Sequence, residues 1–567
     1  MSSHSVTPES AAKIRKGRCI GNRAYEDRLM SVPSLGALLH TQAAKLGDKT
    51  YLIYRDQQLR ESFSYKQFHE AVCRTANFLV NDLGLKPGER VSTVAYNHPA
   101  TAIIYFATLL AGGVIVPINV GEEDKRIAFI QENSDCRIVF VMHDLVERYS
   151  SIQRPACIRH LVQIGGNAAT GWFDWQKGIA QHKPQFDCLD LAGPESEALI
   201  VYTSGTTGPP KGVVLEHYNL LSNVHAMAEW HRFGADDRVM CVLPIHHVNG
   251  FIVTMITPMY VGGTMILNRK FQSQTYWEII GEEQAACGSV VPTLLQFLCD
   301  QAKDGKLPTL PRLRYLICGA GPLTVELAQR FEAQFGIRII HGYGLSETTS
   351  FNSFLPIDQA SEEHARWLGG FGYPSIGCPI SCNEMSIHDT QGRDVAEGEK
   401  GEIVIRGHDV MKYYLGRPDA NETTFAHNWF RSGDEGFFRR DAQGRRFFFI
   451  SGRIKELIIR GGINISPFEV DEVLNRIPGV RSAMAVGFDN IYYGEEVGAY
   501  VVKATGMDLS ETEILRFCRA HLPFYQCPKV VVFGNDFPVT STGKYKRNQL
   551  KPLFAKYAEQ QFRETKA

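Results

Sequence analysis

Residues 198–213 read ALIVYTSGTTGPPKGV, an apolar run that breaks abruptly into glycines, hydroxyls and one lysine. The run has the length and β-branched content of a buried strand. The polar segment after it is suited to a phosphate: Gly205, Gly208 and Gly212 let the backbone approach an anion, Thr203, Ser204, Thr206 and Thr207 offer hydroxyl donors, and Lys211 adds charge. The spacing is not that of a Walker loop, and no GxGxxG follows a strand in this chain. A ligand loop at the carboxyl end of a strand is the arrangement of open α/β sheets.

The surroundings agree. From about residue 65 to 320, helical stretches alternate with runs such as RIVFVM (137–142) and LRYLICG (313–319), which predicts helices covering a largely parallel sheet. After about residue 400 the texture changes to dense short strands, GEIVIRG (401–407), FFRRDAQGRRFFFISGR (437–453) and KELIIRGG (455–462), an antiparallel appendage leading to a boundary at Arg453 to Glu456. Beyond it, Ser466, Pro467 and Glu469 predict a capping box with proline at the first helical position. Ser510 and Glu513 repeat that signature, with the strands SAMAVGF and GAYVVK between. The expected fold is α/β: a large region, 1–453, of layered sheets and helices with the antiparallel appendage, and a small, mobile α+β region, 454–567.

Lysine plus arginine (60) nearly cancels aspartate plus glutamate (61) over 567 residues, so no basic field exists to hold nucleic acid or a membrane surface. Thirteen scattered cysteines, with even the nearby Cys378 and Cys382 lacking zinc or redox spacing, predict reduced thiols and a cytoplasmic protein. Met1 to about Leu35 holds no apolar core of the kind a secretory signal needs. Thr101 to Val120 is uncharged for about the length of a bilayer span. Gly112, Gly113 and Pro117 predict a buried helix, turn and strand there instead.

Five further motifs come in order: GAGPL (319–323), GYGLSET (342–348), SGDEG (432–436), RIKELIIRGGINISP (453–467) and STGKYKR (541–547). Together with the hydroxyl-rich loop they resemble the adenylate-forming superfamily of acyl-CoA synthetases, peptide-synthetase adenylation domains and luciferases, over a stretch from about residue 40 onward. The resemblance implies that Tyr343, after Gly342, offers a flat face to adenine and that Gly319, Ala320 and Gly321 border it. It implies that Glu347 holds Mg²⁺, a role a hard carboxylate suits, and that Ser346 donates to a phosphate where threonine is commoner. Asp434 would accept from the ribose hydroxyls and Arg453 would balance the adenylate's charge. Lys544 would bridge the substrate carboxylate and the α-phosphate, Lys455 would be the hinge, and Gly461 and Gly462 would line a tunnel for coenzyme A. His247, beside His246, would stand at the mouth of the acyl pocket.

The implied activity is that of a two-step acid–thiol ligase. ATP and a carboxylic acid give acyl-AMP and pyrophosphate, then coenzyme A takes the acyl group, and the enzyme is a monomer or homodimer. A freestanding ligase loading a carrier protein and a luciferase-like oxygenase are the alternatives. A peptide-synthetase unit lacks its pocket aspartate in PIHHVNGF, and a non-catalytic sensor would have lost Lys544 or Glu347. Phe251, Met255, Ile256 and Met259 make the pocket neighbourhood apolar, favouring an aliphatic or aromatic acid, and the resemblance leans towards carnitine-type or medium- to long-chain substrates.

Overall fold

The apolar run forms the strand Glu197–Thr203 in an eight-stranded sheet, between Val114–Ile118 and Lys211–Glu216. The pairing to Val114–Ile118 is parallel and that to Lys211–Glu216 antiparallel. The computed structural model describes residues 6–188, 190–203, 210–301, 307–539 and 545–562. A second sheet has thirteen strands, with a parallel half that includes Arg238–Cys241, Cys287–Val290, Tyr315–Cys318 and Ile339–Tyr343. The antiparallel strands expected after residue 400 are continuous with it, joined through the short strands Ser353–Phe354 and Ser375–Pro379. The appendage is therefore the far half of one sheet.

Thr101 to Val120 folds as the helix Pro99–Leu110, a turn at Gly112 with φ +73° and the strand Val114–Ile118, with helix and strand buried. No helix among the described residues is long and apolar enough to cross a membrane. All thirteen cysteines are free thiols.

The thirteen-stranded sheet is left at Arg453, and after the short turn Ile454–Glu456 the chain enters a five-stranded sheet at Ile458. This sheet packs the helices Pro467–Asn475 and Glu511–His521 through Ile458, Val470, Leu474, Ala485, Val501 and Ile514. The Ser510 capping box forms on both sides. The one expected at Ser466 does not. The Ser466 hydroxyl donates to the Ser451 carbonyl instead. Glu469 turns away from its own helix end to accept from Tyr373 at 3.0 Å, Lys400 at 2.5 Å and Gln526 at 2.6 Å. A carboxylate with three donors elsewhere has no reason to cap, and here it ties the small sheet's helix to the large body.

The segment before the first long helix is also built in. Thr7 caps the helix Pro8–Gly17. Arg18 then pairs with buried Glu216, to whose carboxylate the Tyr25 hydroxyl also donates, at 2.9 Å. The Arg18 guanidinium stacks 3.5 Å from the Tyr25 ring centroid.

Candidate active site

The strand Ile339–Tyr343 runs into a loop so tight that a side chain at Gly344 would collide with the Ser350 carbonyl. That turn sets Glu347 on the short helix Ser346–Thr348 with 9% of its surface exposed. Its Oε1 accepts from the Tyr414 hydroxyl at 2.8 Å, and its carbonyl accepts from the Met411 amide at 2.8 Å. Tyr414 belongs to the strand Tyr413–Tyr414, paired with Lys211–Glu216, and the Lys211 ammonium lies 4.2 Å from the Tyr414 ring centroid. Lys211, Tyr414 and Glu347 thus meet at the exit of the hydroxyl-rich loop. Burial pushes the Lys211 ammonium below its ordinary range, against the opposing pull of Glu347. Burial pushes the Tyr414 phenol up, with the nearby Glu347 charge adding to the effect.

A second carboxylate closes the other side. Asp434, 2% exposed, accepts from the Tyr343 hydroxyl at 2.7 Å and pairs with Arg453 Nε at 3.0 Å. Asp434 and Arg453 face each other across the hairpin of Phe430–Arg440 and Arg446–Arg453, so strand register delivers the pair. Asp434 foremost holds the Arg453 guanidinium above its usual range, while burial raises the Tyr343 phenol. Tyr343 is therefore more than a flat face. Its hydroxyl anchors the acid expected to meet a ribose.

Gly319, Ala320 and Gly321 come after the strand Tyr315–Cys318. A side chain at Gly319 would collide with the Phe351 ring, so this turn sits hard against the loop that carries Glu347. Gly342 likewise has no room for a side chain, the Phe354 ring filling the space. Ala320 holds φ +62°, a left-handed conformation that costs an L-residue about 1 kcal/mol.

His246 and His247 lie 4.6 Å apart between ring centroids. His246 is the buried one, its Nε2 without a partner among the described residues, and burial pushes its imidazole down to about 4. His247 is half-buried. Phe251, Met255, Ile256 and Met259 are 0–1% exposed and packed in the main core. In that core Phe251 meets Tyr105 edge-on, and Tyr343 belongs to the same cluster.

On the small sheet, Gly461 (φ +55°) and Gly462 (φ +85°) form the two-residue turn of the hairpin Ile458–Arg460 and Ile463–Ile465, with both central residues left-handed. Both are exposed, as is Lys455, whose charge is felt at Lys211. Ser204, Gly205, Thr206, Thr207, Gly208 and Lys544 lie outside the described residues. Thr203 ends its strand opposite Lys211. Burial pushes the phenol of Tyr545, next to Lys544, above its ordinary range. Sequence reasoning missed Tyr414, since the pairing that brings it to Glu347 spans 67 residues and leaves no local pattern.

Residues 39–415 match the family model described as AMP-binding enzyme, and residues 469–544 that of the AMP-binding enzyme C-terminal domain. The chain belongs to the AMP-binding enzyme family. This AMP-binding enzyme is 33% identical to a sulfoacetate–CoA ligase of Cupriavidus necator, over 91% of this chain and 97% of the relative. It is 30% identical to an oxalate–CoA ligase of Arabidopsis thaliana, over 91% and 98%. Among solved structures, ATP-bound MatB from Rhodopseudomonas palustris superposes with a TM-score of 0.81 at 26% identity, covering 92% of this chain and all (100%) of that one. The α/β architecture of the two is the same.

Proposed function

We propose that this AMP-binding enzyme is an acid–thiol ligase that activates a carboxylic acid with ATP as acyl-AMP and then transfers the acyl group to coenzyme A. The observation that carries the reading is a pair of buried carboxylates in adjoining clusters: Glu347, beside Lys211 at the exit of the phosphate loop, and Asp434, held by Tyr343 and by Arg453, on which the Glu347 charge also acts. One suits the phosphate end of ATP and the other the ribose.

In the first half-reaction the acid's carboxylate attacks the α-phosphorus and the bond to pyrophosphate breaks. Lys211 and the hydroxyl loop hold the departing pyrophosphate, and Lys544 orients the nucleophile. In the second, the thiol of coenzyme A attacks the acyl carbonyl, releasing AMP, with Gly461 and Gly462 lining its approach. The residues fit a magnesium ion: Tyr414 occupies Oε1 of Glu347, and Oε2, to which no described residue donates, is a hard oxygen that suits a cation keeping most of its waters. Bound there, the ion would neutralise phosphate charge. The region 454–567 is read as the moving part, pivoting at Lys455, and the cytoplasm as the setting.

The relatives act by name on sulfoacetate and oxalate, and others on ferulate and long-chain fatty acids. A panel of those acids, assayed for pyrophosphate release with magnesium and ATP and then for thioester on coenzyme A or on a carrier protein, tests the reading. Acid-dependent pyrophosphate followed by acyl-CoA is expected. No pyrophosphate with any acid would sink it.

A further inference from the structure

Glu347 owes its position to a loop in an improbable conformation. Thr349, two residues on, has φ +69°, a region β-branched residues rarely adopt. Such strain persists only where the surroundings over-determine it. Here the Thr349 hydroxyl donates to the Asp409 carbonyl at 2.6 Å, and the Asn352 amide donates to Asp409 Oδ2 at 3.1 Å. The Thr348 hydroxyl in turn donates to Asn352 Oδ1 at 2.5 Å.

Asp409 is fully buried (0% exposed). Besides Asn352, its Oδ2 accepts from Asn223 at 3.2 Å, Asn383 at 3.1 Å and the Cys382 thiol at 3.3 Å. Asn223 lies on the helix His217–His231 and donates also to the Phe351 carbonyl, at 2.8 Å, at the far end of the same loop. One carboxyl oxygen therefore gathers three separate parts of the body around the Glu347 loop. From Asp409 the chain continues directly to Met411 and Tyr414, which grip the backbone and the side chain of Glu347.

A carboxyl buried among amides and a thiol is costly to fold around. A core that needed only packing would hold an apolar residue there. Neither the phosphate loop nor the ribose side explains its presence.

We propose that Asp409 is a positioning residue for Glu347. By anchoring the segment 409–414 and the strained turn at Thr349 on one buried oxygen, it fixes the carboxylate that meets the metal–nucleotide. The proposal rests on the proposed role of Glu347 as the carboxylate at the phosphate end of ATP.

Three variants and wild type decide it, with Mn²⁺ binding in the presence of ATP followed by EPR, ATP–pyrophosphate exchange, and thioester formation from supplied acyl-adenylate. Glu347→Gln and Asp409→Ala are expected to weaken Mn²⁺–ATP binding by about tenfold or more, the range seen when groups supporting a metal ligand are removed. Thioester formation from the adenylate should stay within about twofold of wild type, since that half needs no phosphate metal. Asp409→Asn keeps an acceptor oxygen and should restore binding to within about threefold. Wild-type Mn²⁺–ATP binding in Asp409→Ala, with Glu347→Gln impaired, would overturn the proposal. So would equal loss of both half-reactions in Asp409→Ala. Unimpaired binding in Glu347→Gln would instead overturn the role of Glu347 itself. Should Asp409→Ala not fold, Thr349→Ala removes only the hydroxyl anchor. It is expected to weaken the same binding, and wild-type binding there would refute the proposal.

Discussion

Glu347 and Gly462 are both assigned to the same reaction, yet they stand in opposite relations to their surroundings. Glu347 is 9% exposed and held at side chain and backbone, by Tyr414 and Met411. Gly462 is exposed, with no described atom beyond its chain neighbours within 4 Å of where a side chain would begin. The two carboxylates of the large body are held by their own partners, which suits the proposed meeting with phosphate and ribose without reorganisation. The glycine turn is left clear, which suits the wall for a slender thiol arm proposed for it. The contrast is that of a fixed half and an uncommitted half, and it can be broken by experiment.

The strongest test uses Lys544. Lys544→Ala is expected to lower ATP–pyrophosphate exchange by about 10²–10³-fold, the loss typical of removing a preorganised charge, with supplied acyl-adenylate still converted to thioester. Gly462→Leu should do the reverse. A leucine at φ +85° carries roughly 1–3 kcal/mol of strain and fills the open side of the turn, so thioester formation falls while exchange persists. Equal losses in both variants and both assays would erase the distinction.

A smaller effect sharpens the fixed half. Asp434→Ala leaves the buried Tyr343 hydroxyl without its acceptor, at roughly 1–3 kcal/mol of stability, and should both raise the KM for ATP and lower the melting point of the protein.

The smallest concerns the seam between the halves. Glu472, on the small sheet's helix, accepts from the Val325 amide at 3.1 Å, and burial pushes its carboxyl up to about 8. The seated arrangement therefore favours the protonated acid, while a freed Glu472 would titrate near its ordinary 4.5. The favourable contribution is complete below about pH 4.5 and is lost as pH rises through about 8. Small-angle scattering from pH 5 to 9 should show the small region loosening over that window, and Glu472→Gln should flatten the response. A pH-independent wild type would show that the seam does not sense this proton.

Most of the architecture was legible because its signals are local. The strand before the hydroxyl loop, the helix–turn–strand at 99–118 and the Ser510 cap each depend on neighbours a few residues apart. Tyr343, Glu347, Asp434, Arg453 and Lys211 were marked by motif, and the fold brings them into two adjoining clusters. What was not legible is non-local. Glu469 has the spacing of a capping residue, but nothing near it in the chain announces Tyr373 or Lys400. Tyr414, Asp409 and Glu472 acquire their roles only through partners far along the chain. The apolar side chains at 251–259 read equally well as pocket or core, and they pack in the cluster that also holds Tyr343.

The N-terminal stretch has a practical bearing on how this protein can be handled. The family match starts at residue 39, whereas Arg18 pairs with Glu216 and the Tyr25 hydroxyl donates to it at the foot of the strand bearing Lys211, where Lys412 is the second cation at 3.2 Å. Trimming to the matched boundary would leave this buried carboxylate with only one of its two cations, Lys412, so an inactive fragment cut there would testify to a weakened charge balance rather than to a missing activity.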